Sequence, residues 1–142
     1  MQSKILAAVD GSECAKKGFQ IALDMSLEKQ DSSVLVVLAV VQPLEVNGMR
    51  KDVRASLEAL IEKDAKALLA EYATVAEMRG VKAETILASG HPAKIILDIA
   101  KIKGADLIVV GSRGLGGVKG LLLGSVSNAV VQNSKVPVMV VK

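Results

Sequence analysis

Apolar residues gather in five short, nearly continuous runs: Lys4 to Asp10 (KILAAVD), Ser33 to Val41 (SVLVVLAVV), Lys82 to Ser89 (KAETILAS), Ala105 to Ser112 (ADLIVVGS) and Val136 to Lys142 (VPVMVVK). Runs of this length without strict alternation fit strands covered on both faces. The segments between them change period. Ser12 to Gln30 carries Ala15, Phe19, Ala22, Leu23 and Leu27 near helical spacing. Asp52 to Gly80 places Val53, Leu57, Leu60, Ile61, Leu68, Tyr72 and Val75 on one helical stripe and ends on a glycine suited to a C-terminal cap. Pro92 to Gly104 opens on the favoured first helical residue and closes on another glycine, and a short helix spans about Val126 to Asn133. Strands alternating with helices predict an α/β fold: a single-domain, doubly wound, five-stranded parallel sheet of Rossmann-like type, with helices on both faces. Gln42 to Asp52 is the one long polar loop, and no linker, repeat or low-complexity tract interrupts residues 1–142.

In such sheets ligands sit beyond the carboxyl ends of the strands, where the strand order reverses. The residues that follow strands are therefore the candidates: Asp10-Gly11-Ser12, Val41-Gln42, Gly90-His91, and a loop holding Gly111, Gly114, Gly116, Gly117, Gly120 and Gly124. Glycine is unfavourable by roughly 0.5–1 kcal/mol inside regular structure, so this many together mark sharp turns or a closely approached backbone. The loop is not a Walker A motif, because Val118 stands where the glycine before Lys119 is required. It also lacks the third glycine of the dinucleotide fingerprint. What remains is Gly111-x-x-Gly114, nine residues, then Gly124-Ser125-Val126-Ser127 opening a helix. Flexible backbone at one end and a helix N-terminus with two hydroxyls at the other make a cradle for phosphate. The competing reading is a surface loop in which Ser125 or Ser127 is only an N-cap; Asp10 has a similar alternative as N-cap of the first helix, shared with Ser12.

Composition narrows the choice. Net charge is only +3, with the basic residues scattered among acids, which argues against a nucleic-acid surface. Phe19 and Tyr72 are the only aromatic residues, too few to stack RNA bases or enclose a flavin, so a purine site would be walled by aliphatic side chains and read by backbone groups. No run of about 18 apolar residues suggests a membrane span. The opening MQSKILAAVDGSE places an acid directly after a short apolar run and lacks a cleavage-type segment. The single cysteine, Cys14, excludes an internal disulfide framework and fits a reducing cytoplasm. His91, the lone histidine, has no cysteine or acid at metal-ligand spacing and reads as a loop residue.

GSRGLGGVKGLLLGSVS resembles the nucleotide loop of the universal stress protein family, whose ATP-binding members share G-x-x-G-x(9)-G-[ST], matched at Gly111, Gly114, Gly124 and Ser125. ILAAVDGSE resembles that family's first strand and aspartate, GHPAKIILDIAKIKGADLIVVGSRG its third helix and fourth strand, and SKVPVMVV its closing strand. The resemblance implies strand order 3-2-1-4-5, which sets Asp10 and Gly111 on either side of the switch point. It implies ATP as ligand, with Ala8, Val9 and Asp10 at the adenosine end and Asp10 near the ribose or a phosphate-bound Mg²⁺. Val40 would offer backbone groups to adenine; Gly111, Arg113 and Gly114 would flank ribose and phosphates; and Gly124, Ser125, Val126 and Ser127 would hold the phosphate tail. Ala39 departs from the family where many relatives carry histidine, and His91 stands where an acid is common. On the implied strand order the last strand is an apolar edge with Lys142 as its only charge, so pairing with a second copy through Val136–Val141 is expected; the alternative is a monomer whose short helix covers that edge. No second acid follows Asp10 and no catalytic base stands by the loop, which excludes a response-regulator receiver and holds any ATP hydrolysis to a slow rate. Three functions stay open: an ATP-binding stress-response regulator, a slow ATPase, and a nucleotide-free dimeric interaction module.

Overall fold

The computed structural model describes residues 3–29, 33–114 and 123–142. Strands and helices alternate along the chain: β1 (Ser3–Val9), α1 (Glu13–Glu28), β2 (Ser33–Val41), α2 (Lys51–Met78), β3 (Ala83–Ser89), α3 (Pro92–Lys103), β4 (Leu107–Gly111), α4 (Ser125–Asn133) and β5 (Val138–Val141). All pairings are parallel and the strand order is β3-β2-β1-β4-β5. The chain therefore winds outward from β1 through β2 to β3, then crosses back to β4 and β5. Right-handed crossovers in opposite directions put the first two helices on one face of the sheet and the last two on the other.

The pleat of each strand serves both faces. Ile5, Ala7 and Val9 point into one apolar layer with Phe19, Leu23, Leu69 and Tyr72, while Leu6, Val36, Leu38, Ile108 and Val110 point into a second with Ala93, Ile96 and Val130. Each fully buried aliphatic chain contributes about 1.5–3 kcal/mol, so both layers need an apolar residue at almost every strand position. That explains the continuous runs. The helix ends follow local chemistry: Pro92 starts α3, and Gly104, in left-handed conformation at φ 68°, ends it.

α2 departs from the sequence reading. Its buried residues are Leu69, Tyr72 and Ala76, whereas Val53, Leu57, Leu60, Ile61 and Val75 of the expected stripe are exposed. The helix is 28 residues long, about 42 Å at 1.5 Å per residue, while its strands have seven to nine residues. Only its C-terminal part has a sheet to pack on, and the N-terminal turns run past the ends of the strands.

At the other side, β5 is an edge strand. Ile108 N donates to Pro137 O (3.0 Å) and Ser112 N to Val141 O (2.7 Å), so the odd-numbered residues of β5 turn their main chain toward β4. Alternation then points the amides of Val138 and Val140 away from the sheet.

Candidate functional site

The site is built where β1 and β4 end side by side. After Val9 the chain turns sharply through Gly11, which holds φ 86°, a conformation open to glycine at no steric penalty. Asp10 Oδ1 accepts a hydrogen bond from Ser12 N (2.9 Å), and Ser12 Oγ accepts from Ala15 N (3.3 Å). Ser12, and not Asp10, is thus the N-cap of α1. Asp10 braces the turn through one oxygen, and its other oxygen lies against the glycine loop.

Three motif glycines have separate steric reasons. A Cβ on Gly111 would stand 2.8 Å from Ala15 N and 2.9 Å from Cys14 Cβ, so this glycine lets the first turn of α1 seat on the end of β4. On Gly114 a Cβ would meet Asp10 Oδ2 at 2.9 Å, so the loop crosses directly over that carboxylate. For Gly124 the neighbour is Ser112 O, at 3.2 Å. Ser112 O ties the feet of the loop together, accepting from Gly124 N (2.6 Å) and from Ser127 Oγ (3.0 Å). Ser127 Oγ also donates to Gly124 O (3.1 Å) and the residue is only 3% exposed, so its hydroxyl closes the loop from beneath. Residues 115–122, with Gly116, Gly117 and Gly120, lie outside the described residues.

α4 is capped by Gly124, whose lack of a side chain leaves the first-turn amides without a side-chain acceptor. The alternative of Ser125 or Ser127 as N-cap therefore does not hold: they are the first and third residues of the helix. An uncapped N-terminus presents N–H donors and the positive end of the helix dipole, both suited to an anion.

Between these elements lies a cavity of about 610 Å³. Its lining includes all eleven residues singled out from the sequence: Ala8, Val9, Asp10, Val40, Gly111, Arg113, Gly114, Gly124, Ser125, Val126 and Ser127. It also includes Ser12 and Gln42, both among the residues that follow strands, and five that sequence reasoning did not assign to it: Ala15, Leu38, Pro92, Ile96 and Val110. The signal for Leu38, Gln42 and Val110 was present, since they share pleat parity with Val40 and Ala8. Pro92 and Ile96 come from α3, which only the tertiary fold brings across. The cavity has two halves: hydroxyls, Arg113, Asp10 and helix amides on the β1–β4–α4 side, and the aliphatic Leu38, Val40, Pro92 and Ile96 on the β2–α3 side. Gly90 N donates to Val41 O (3.0 Å), so Val41 faces β3 and the main chain of Val40 faces β1. The last β1–β2 pair is Val9 with Ala39, which leaves the Val40 main chain at the open end of that ladder.

His91 is the exposed N-cap residue of α3 and does not line the cavity. Cys14 is half-buried, its Sγ 3.7 Å from Ser112 Oγ. Among the described residues no three His, Cys, Asp or Glu side chains are grouped to hold a metal. No helix among them is long and apolar enough to cross a membrane.

The model of the universal stress protein family matches residues 1–142. The chain is 39% identical over 148 residues to universal stress protein YxiE of Bacillus subtilis, covering all of both. Among solved structures it resembles the protein MJ0577 of Methanocaldococcus jannaschii, with TM-score 0.89 and 30% identity over 100% of this chain and 96% of that one. It also resembles a universal stress protein solved in complex with cAMP, with TM-score 0.73 and 27% identity over 99% and 97% of the two chains.

Proposed function

The chain belongs to the universal stress protein family, and from that premise we propose that residues 1–142 form one ATP-binding domain that acts as a cytoplasmic stress-response regulator. The observation that carries this reading is the cavity itself: a split lining, aliphatic on one side and rich in anion-binding groups on the other, at the switch point between β1 and β4. An adenine nucleotide has the same division. Its base suits the wall of Leu38, Val40, Pro92 and Ile96, with the Val40 main chain offered to the ring edge. The ribose lies by Ala8, Val9 and Asp10. Gly111, Arg113 and Gly114 flank the ribose and phosphates, and Gly124, Ser125 and Val126 receive the phosphate tail at the amino end of α4. Ser127 joins that tail by its main-chain N–H in the first turn of α4, while its hydroxyl proton stays on Ser112 O. The cAMP complex of a relative supports an adenine nucleotide as the class of ligand.

Asp10 supplies one carboxylate oxygen toward the phosphates, the other being held by Ser12 N. One such oxygen fits a Mg²⁺ that draws its remaining ligands from phosphate and water. Among the described residues no second acid or base flanks it in the cavity lining, so turnover stays far below the roughly 1–100 s⁻¹ of kinases, and bound ATP works as a signal. The outward amides of Val138 and Val140 support a homodimer joined antiparallel through the edge strand. Nucleotide carried through purification and identified by mass spectrometry tests the binding reading: ATP or its products retained at near-stoichiometric amounts supports it, and protein that is nucleotide-free and fails to take up ATP refutes it.

A further inference from the structure

We propose that Gln42 selects the base of the bound nucleotide, its carboxamide hydrogen-bonding the amino edge of adenine. This rests on the nucleotide reading above and extends it from a ligand class to a specificity determinant. Along β2 the side chains alternate: Leu35, Val37 and Ala39 join the layer under α1 and α2, while Val36 and Leu38 join the layer under α3 and α4. The same parity carries Val40 and then Gln42 onto the cavity face, and both line the cavity. Gln42 lies one residue past the strand, yet it is held. Val41 O is tied to Gly90 N at 3.0 Å on one side, and Pro43 on the other confines residue 42 to extended conformations.

Its position within the lining is singular. The hydrogen-bonding side chains Asp10, Ser12, Arg113, Ser125 and Ser127 all come from the phosphate half. In the half formed by β2 and α3, Gln42 is, among the described residues, the one lining side chain that can donate or accept a hydrogen bond. A carboxamide presents a donor and an acceptor side by side in one plane. That pair complements the adjacent 6-amino group and N7 of adenine. It mismatches the 6-oxo group and N7 of hypoxanthine or guanine, which are both acceptors. Where the bound base covers the carboxamide against the aliphatic wall, the mismatched pair gives up water and gains no hydrogen bond in return.

Isothermal titration of the wild-type protein and of Gln42→Leu with MgATP and with MgITP tests this. The two nucleotides differ at the 6-position and in the N1 proton that the 6-oxo form carries, and Gln42 is exposed, so melting curves should show the variant folded as well as wild type. The wild-type protein should prefer ATP by about ten-fold, the worth of one hydrogen bond and its unpaired partner. Gln42→Leu should lower that ratio several-fold, to what the Val40 main chain alone discriminates, and Gln42→Glu, which still accepts from the amino group, should keep part of it. An ATP-to-ITP ratio unchanged in Gln42→Leu, or absent in wild type while both nucleotides bind, overturns the role of Gln42 and leaves the cavity's function standing. Failure of wild type to bind either nucleotide overturns the underlying reading as well.

Discussion

Gly111→Ala separates a glycine needed for packing from one needed for ligand access. The added methyl would stand 2.8 Å from Ala15 N, 2.9 Å from Cys14 Cβ and 3.0 Å from the Cys14 carbonyl carbon. Two of these are main-chain atoms of the first turn of α1, so no rotamer change relieves the contact and the helix must move off β4. Overpacking of this kind costs about 1–3 kcal/mol. The shift also strains the cap in which Ala15 N donates to Ser12 Oγ, worth about 1 kcal/mol. A loss of about 2–4 kcal/mol follows, which lowers the melting temperature by about 6–12 °C at roughly 3 °C per kcal/mol for a domain of this size. Gly114→Ala is the counterpart: among the described residues its methyl meets only Asp10 Oδ2, the movable end of an exposed side chain. It should melt within about 2 °C of wild type without ligand, a small surface effect, yet lose most of the stabilisation by MgATP. Calorimetric melting of the three proteins with and without nucleotide measures both effects. An apo Gly111→Ala protein that melts with wild type would refute the packing argument, because the clash would then have an escape the structure denies.

Three further outcomes follow from single contacts. Ser127→Ala removes the hydroxyl that joins Ser112 O to the start of α4, and should lower apo stability by about 1 kcal/mol, read as a fall of about 3 °C in melting temperature. Val140→Pro deletes an outward amide of β5, so light scattering should find a wild-type dimer and a variant monomer at tens of micromolar; a wild-type monomer defeats the edge pairing. Burial, then Glu71, Asp10 and Glu13 in falling order, raise the Tyr72 phenol above its ordinary value of about 10. Its contribution to stability is complete below pH 10 and is lost as pH climbs through the higher folded value, since the unfolded chain gives up the proton first. Tyr72 is the only tyrosine, so its absorbance titration reports the shift directly, and Tyr72→Phe should flatten the alkaline loss of stability.

The sheet was legible because each strand serves two apolar layers, which leaves a run such as SVLVVLAVV with no other economical use. Asp10 and the motif glycines were legible as residues directly following strands. α2 was not, and the reason is geometric. Periodicity at Val53, Leu57 and Leu60 defines a face, but the sheet that should cover it reaches only as far as Leu68 and Leu69. The division between Asp10 and Ser12 was equally hidden, since either can cap a helix and only the turn at Gly11 settles which one does. Gly124 as the true cap of α4 reverses the ordinary preference for serine there, and the reversal leaves donors for an anion where a side chain would have consumed them. Pro92 and Ile96 reach the cavity from a helix whose sequence shows only ordinary amphipathic spacing.

Titration calorimetry of the wild-type protein with MgATP asks whether the cavity between β1 and β4 holds a nucleotide. Binding at a single site per chain with a Kd in the micromolar range, about −8 kcal/mol, is the predicted result, and it should weaken sharply in Gly114→Val and Gly124→Val proteins that remain folded. No heat of binding and no melting shift at millimolar ATP with Mg²⁺ would contradict it.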